Sequence, residues 1–214
     1  TNFAMSGIDK LHFGLEAAVS IPLYRSLALN GAVSWGQYTY DSNPYYLQTQ
    51  DNSGDIVSDG YVYWKDFRVE STPQTAVNVG LSWRSNNNIY LSADFNYYNN
   101  MYLSMSPIYR TDAVITGGMA PGDIEHLRRQ EKFDSAYTLN ASIGKNWYIH
   151  RKYTLGFSLD VKNILNNQDI KTGGYEQTRL SKNTETTVTT YQAFDSKYFY
   201  MFGTTYYLNL YFRF

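Results

Sequence analysis

Residues 204 to 214 alternate between apolar and polar positions without a break. Phe214, Phe212, Leu210, Leu208 and Tyr206 fall on one side of an extended chain, and Arg213, Tyr211, Asn209, Tyr207 and Thr205 fall on the other. A period of two predicts a β-strand with one greasy and one wet face. The same pattern recurs in six earlier segments. Leu11, Phe13, Leu15, Ala17, Val19 and Ile21 oppose His12, Gly14, Glu16, Ala18 and Ser20, and Leu27, Leu29, Val33 and Trp35 oppose Ala28, Asn30, Ala32 and Ser34. Val77 to Trp83, Ile89 to Tyr97, Tyr137 to Ile143 and Tyr153 to Val161 repeat it. Charge respects the division: Glu16, Arg84, Asp94, Asp160 and Lys162 all take wet positions. Lys145 alone falls on a greasy one, beside Trp147 and Tyr148, where a long cation can snorkel to water.

The connections between these segments alternate in length. Residues 22 to 26, 85 to 88 and 150 to 152 are short turns, whereas 41 to 73, 103 to 134 and 164 to 197 are long. Short turns at one end and long loops at the other are the arrangement of outer-membrane barrels, whose turns face the periplasm and whose loops face outside. A soluble two-sheet protein also alternates, so facing and connection lengths must be read together.

Composition narrows the choice. There are 22 Tyr, 11 Phe and 4 Trp, a density that suits strands crossing two membrane interfaces. No run approaches the ~18 apolar residues of a membrane helix, so a bilayer would be crossed by strands. With 18 basic and 19 acidic residues the chain is near neutral, which gives no electrostatic case for nucleic acid as a partner. Cysteine is absent, which removes disulfides and thiol metal sites. The fold expected is therefore all-β, a transmembrane antiparallel barrel. Seven strands do not close a bacterial barrel, whose strand number is even, and the sequence opens at Thr1 without a secretory leader. Residues 1 to 214 are accordingly expected to be the carboxyl-terminal segment of a larger barrel, with Phe214 its true end. The alternative is an eight-stranded barrel whose extra strand lies within Gly60 to Glu70. That stretch alternates over only a few residues and reads better as a hairpin or a strand extension above the membrane.

Candidate chemistry is sparse. His12, His126 and His150 lie on separate segments with no metal-ligand spacing. Asp123, Glu125 and His126 crowd together, but Pro121-Gly122-Asp123 followed by Leu127 and Arg128 reads as a capped helical turn. Asp51, Ser53, Asp55 and Asp59 offer oxygens, yet Gly54 breaks the EF-hand pattern and solvated turns are the simpler reading. No phosphate loop or nucleophile elbow occurs, so neither an enzyme nor a bound cofactor is expected. Tyr45, Tyr46, Tyr61, Tyr63 and Trp64 gather in the first long connection. Flat rings stack on the apolar faces of sugars, and girdle, loop core and partner contact explain the cluster equally well.

Two stretches resemble a known family. VKNILNNQDIKTGGYEQTR (residues 161 to 179) followed by the terminal YYLNLYFRF resembles the carboxyl end of SusC/RagA-like TonB-dependent transporters of Bacteroidota outer membranes. Residues 130 to 167 read like that family's last hairpin, and Tyr109 to Asp112 resembles its preceding loop. The resemblance covers about residues 75 to 214 and implies a 22-stranded barrel holding an amino-terminal plug, neither plug nor TonB box being in this chain. It implies import of a large nutrient, a glycan or sometimes a peptide, energised through TonB and lidded by a SusD-like surface lipoprotein. It further implies outer-membrane lipid and the barrel assembly machinery as partners, the latter reading Phe214. Tyr45, Tyr46, Tyr63, Trp64, Tyr175, Glu176 and Gln177 then become candidate cargo or lid contacts, and Glu16, Arg84, Asp94, Asp160 and Lys162 line the lumen or meet the plug. The loop residues also have a reading of their own: Asn163, Asn166 and Asn167 can cap turn amides, and Gly173-Gly174 permits positive φ. A passive or structural barrel subunit shares every strand feature and remains the alternative. A rim enzyme would need a catalytic cluster, and hydrolysis abolished by His126→Ala would be its mark.

If the facing is as assigned, Leu159→Lys puts a cation into lipid at a cost of about 2–4 kcal/mol near the midplane, whereas Ser158→Lys does not. Leu159→Lys should lower the heat-modifiable, membrane-assembled fraction far more than Ser158→Lys; equal effects refute the facing. Deleting Phe214 should also lower assembly, and an unchanged heat-modifiable band would remove its role as a signal.

Overall fold

All seven alternating segments are strands of one antiparallel sheet in the computed structural model, which describes residues 1–150, 152–182 and 189–214. In chain order the strands are β1 (Asn2–Ser6), β2 (Lys10–Tyr24), β3 (Leu27–Tyr40), β4 (Tyr45–Thr49), β5 (Ile56–Tyr61) and β6 (Thr75–Arg84). They continue with β7 (Ile89–Asn99), β8 (Ala136–Ile149), β9 (Tyr153–Lys162), β10 (Lys171–Lys182), β11 (Thr189–Tyr200) and β12 (Thr205–Arg213). The large sheet runs β12-β9-β8-β7-β6-β3-β2, and β2 and β12 are its two edges among the described residues. The fold is all-β and antiparallel, and within this chain the sheet is open.

Register explains why alternation in the sequence becomes two distinct faces. One cross-strand row runs Ile21, Leu29, Leu81, Ala93, Ala141, Val161 and Tyr206 through all seven strands. Because side chains alternate strictly, a slip of one residue in any pair would break such a row. On the opposite face polar side chains bond across the strands. Ser20 donates to Asn30 Oδ1 at 2.8 Å, Asn78 donates to Asn96 Oδ1 at 2.9 Å, and the Ser92 and Ser142 hydroxyls lie 2.8 Å apart. Glu16, Arg84, Asp94, Asp160 and Lys162 share the face of these polar rows. Lys145 stands on the apolar face between Ile89 and Phe157, with Nζ 5.2 Å from the centre of the Trp147 ring.

Two tyrosines lie over glycines on the polar face. Gly144 pairs with Tyr90, and Gly156 pairs with Tyr211. A Cβ at either glycine would coincide with the partner's ring, so the missing side chain is what lets each ring lie flat on the neighbouring strand.

The long connections are structured and meet at one end of the sheet. β1, β4 and β5 form a small separate sheet, and β10 and β11 form a hairpin. Gly60 and Tyr61 end β5, Val62 bridges Thr111 and Arg68 bridges Thr39, so this stretch supplies no eighth strand to the large sheet. Helices α1 (Asp112–Ile115) and α2 (Pro121–Arg128) lie in the second connection. α2 is the helical turn expected there, with Pro121 in its first turn, but its cap residue Ala120 makes no side-chain cap bond.

The buried hydrophobic residues collect in this loop layer and at the strand ends that enter it. Tyr40, Tyr46, Val62, Trp64 and Met105 form one cluster, and Met101, Leu103, Phe133, Ala136 and Ile170 form another. The sheet's apolar face stays uncovered, with Leu15 73% and Leu210 71% exposed.

Gly144→Val must displace Tyr90 and should destabilise the sheet by about 1–3 kcal/mol. Gly31→Ala meets only ordinary contact with Val19 and should cost less. Urea unfolding midpoints of the two variants check this, and the ordering fails if Gly31→Ala is the worse.

Candidate functional site

A solvated loop layer needs polar staples, because it has little apolar area with which to hold itself. Three joints provide them. The first is Arg110, 2% exposed although it is the first charge in the chain after Asp94. Its Nε donates to the Leu127 carbonyl at 2.9 Å, Nη1 donates to the Ser106 carbonyl at 3.0 Å, and Nη2 donates to Glu176 Oε2 at 2.8 Å. Nη1 also meets Glu176 Oε1, which accepts the Ser106 amide at 2.6 Å. The Arg110 guanidinium lies 5.7 Å from the centre of the Phe67 ring. Residues from all three long connections therefore converge on one fork-shaped cation.

In the second joint, the Gln130 side chain mimics a strand partner. Its Oε1 accepts the Arg68 amide and its Nε2 donates to the Arg68 carbonyl, each at 2.8 Å. In the third, Glu131 accepts the Tyr198 hydroxyl at 2.7 Å and the Ser196 hydroxyl at 3.1 Å, with Lys171 Nζ 3.6 Å away. The hydrogen bond to Glu131 is the largest cause raising the Tyr198 phenol above its ordinary pKa.

The asparagine turn is built as its sequence suggested. Asn163 donates to the Asn167 and Phe202 carbonyls at 2.9 and 3.1 Å, Asn167 N–H donates to Asn163 Oδ1 at 3.1 Å, and Asn166 Oδ1 accepts the Thr204 amide at 3.1 Å. Gly174 has φ of 153°, and a Cβ there would strike the Lys197 backbone. The turn thereby fixes where the β10–β11 hairpin starts.

Two concavities flank that hairpin. One, of about 480 Å³ between α2 and β10–β11, is lined by His126, Arg129, Gln177, Tyr191 and Asp195 among others. The Tyr191 phenol is raised from its ordinary value, chiefly by burial, and its ring lies 5.4 Å from that of His126. The other, of about 470 Å³, is lined by Tyr109, Tyr175, Gln177, Thr178, Arg179 and Phe194. Aromatic rings beside amide and guanidinium donors suit a polar ligand with apolar faces.

The residues singled out from sequence divide accordingly. Tyr175 is 50% exposed and lines the second concavity, Gln177 lines both, and Glu176 is held by Arg110. Tyr45 and Tyr63 are exposed, Tyr45 lying edge-on to Tyr61 at 5.8 Å and donating to Asp59 at 2.5 Å. Tyr46 is 1% exposed and stacks on Phe3 at 5.2 Å, while Trp64 is 8% exposed and stacks on Tyr40 at 4.4 Å. These two rings form the core of the loop layer. Phe214 is exposed at the end of β12. His12, His126 and His150 lie apart, and no group of three or more His, Asp or Glu able to hold a metal occurs among the described residues.

Comparison with protein-family models, with curated proteins and with solved structures finds no match to this chain. The site is therefore read from its own geometry. Sequence reasoning passed over Arg110, Gln130 and Glu131, and the one available signal was a charge at position 110 after a long uncharged run.

Arg110→Ala leaves Glu176 without its partner and should destabilise the hairpin by about 3–5 kcal/mol, whereas Arg110→Met with Glu176→Met should recover most of it. The rate of tryptic cleavage after Arg179 reads both effects, and equal protection in all three proteins would show the joint to be idle. Because the folded Tyr198 pKa is raised, this hydroxyl's contribution is present below pH 10 and is lost as pH rises through the folded value. Tyr198→Phe should flatten that alkaline loss in a pH series of proteolysis rates.

Proposed function

We propose that this chain is part of the wall of an outer-membrane β-barrel that imports a large nutrient. The carrying observation is the seven-strand apolar row on an uncovered face, set against a hydrogen-bonded polar face. A contiguous exposed apolar surface of this extent calls for lipid or another hydrophobic partner. Aromatic spacing favours lipid. Tyr137 and Trp147 stand ten positions apart on the apolar face of β8. At about 3.3 Å per residue that is roughly 33 Å along the strand, which a tilt of ~40° reduces to about 25 Å, the height of the apolar band of such barrels. The edges β2 and β12 would then be completed by other strands of the same wall, since an unpaired edge is not tolerated in lipid.

The transport reading adds the resemblance of residues 161 to 179 and of the terminal strand to SusC-like proteins. On it, the polar face lines a lumen that holds a plug, TonB supplies the energy, and a SusD-like lipoprotein covers the loop layer. Tyr175 and Gln177, at the flanks of the hairpin, are the residues best disposed toward cargo or lid.

Fractionation and uptake test this reading. The full-length protein should sediment with the outer membrane as a heat-modifiable band, and deletion of its gene should abolish accumulation of one large nutrient. Collapse of the proton gradient should stop that accumulation; accumulation that persists would favour the passive barrel, and a soluble protein would end both readings.

A further inference from the structure

The short-turn end of the sheet carries one sign of charge. Its described residues include Arg25, Arg84, Lys145, Lys152 and Arg213 and no aspartate or glutamate. Glu16, Asp94 and Asp160 lie within strands, and every other acidic residue precedes β2 or belongs to the three long connections. None of the five cations makes an ion pair or a side-chain hydrogen bond within the described residues. Four of them instead sit near aromatic rings. Lys145 Nζ is 5.2 Å from the centre of Trp147, Lys152 Nζ is 5.1 Å from Tyr153, Arg25 Cζ is 5.1 Å from Tyr24 and Arg213 Cζ is 5.3 Å from Tyr211.

Lys145 is the informative member. It stands on the apolar face between Ile89 and Phe157, where solvent alone gives no reason for a cation. In water such a lysine would be neutral in its effect; on a lipid-facing wall it has to reach a phosphate or bulk water. Trp147 marks headgroup depth on the same strand face. A cation held at that depth beside a ring, with further cations in the adjoining turns, matches an anionic headgroup with acyl chains running inward over Phe157, Leu159 and Leu208. Arg84 and Arg213 face the polar side and add to the field at that end rather than to the contact.

We propose that the short-turn rim is a binding site for anionic phospholipid, with Lys145 holding the headgroup phosphate and Trp147 packing beside it. This rests on the membrane reading above. It assigns the leaflet on the short-turn side as the one whose lipid the protein selects.

The test uses the full-length protein carrying Trp35→Phe and Trp83→Phe, Trp64 being buried, and takes the signal of Trp147 as the difference between this protein and the same protein with Trp147→Phe. Both are reconstituted in phosphatidylcholine vesicles containing a small, equal fraction of either brominated phosphatidylglycerol or brominated phosphatidylcholine. Brominated phosphatidylglycerol should be enriched at Trp147 by about fivefold over its share of the bilayer, the order expected for one cation at an anionic surface. Lys145→Gln should reduce the enrichment to near unity, and Lys145→Arg should keep it. Equal quenching by the two lipids overturns the site while leaving the barrel reading intact, and enrichment unchanged in Lys145→Gln overturns the role of Lys145. No quenching by either lipid would mean that this face does not meet acyl chains, and both readings fall together.

Discussion

Backbone hydrogen bonding between neighbouring strands is the constraint on which everything else in this molecule depends. The large sheet leaves its apolar face uncovered, and among the described residues its few buried hydrophobic side chains lie at the ends that enter the loop layer. Its amides and carbonyls must pair with one another, and six antiparallel ladders of nine or more residue pairs do so. Such ladders cost nothing in side-chain identity, which frees the two faces to diverge. One becomes continuously apolar, and the other carries serines, asparagines and carboxylates that satisfy each other across the strands. The Tyr90–Gly144 and Tyr211–Gly156 pairs add the packing that the bare polar face otherwise lacks.

The loop layer solves the opposite problem. It does have buried residues, but they are divided into two small clusters. Neither is large enough to order three long connections, and the polar joints do the rest. Arg110 is the hub, since its planar fork donates to two carbonyls and a carboxylate at fixed angles that a lysine would not reproduce. The same joints shape the concavities, because holding Glu176 inward turns Tyr175 and Gln177 outward along β10. Fold and candidate site are thus linked by one ion pair.

The two ends of the sheet differ in electrostatics as well as in architecture. The connection-rich end holds most of the acidic residues, several of them engaged by hydroxyls and amides. The turn end holds cations beside rings. A near-zero net charge conceals this separation, which becomes visible only when residues are sorted by the end of the sheet to which they belong.

Alternation along the chain was enough to determine the seven strands, their facing, the lengths of the turns and the exceptional place of Lys145. These follow from period-two geometry and from neighbours in sequence pairing in space, so no distant information is needed. The asparagine turn was legible for the same reason, its donors and acceptors lying within a few residues. The β10–β11 hairpin was not. KTGGYEQTRLSK is polar on both faces and carries no alternation, and its strands form because Glu176 and Tyr198 are held by Arg110 and Glu131 from another connection. Tertiary structure alone likewise decided that Tyr46 and Trp64 are core while Tyr45 and Tyr63 are surface, since adjacent aromatic residues look alike until the rings of Phe3 and Tyr40 arrive to cover one of each pair.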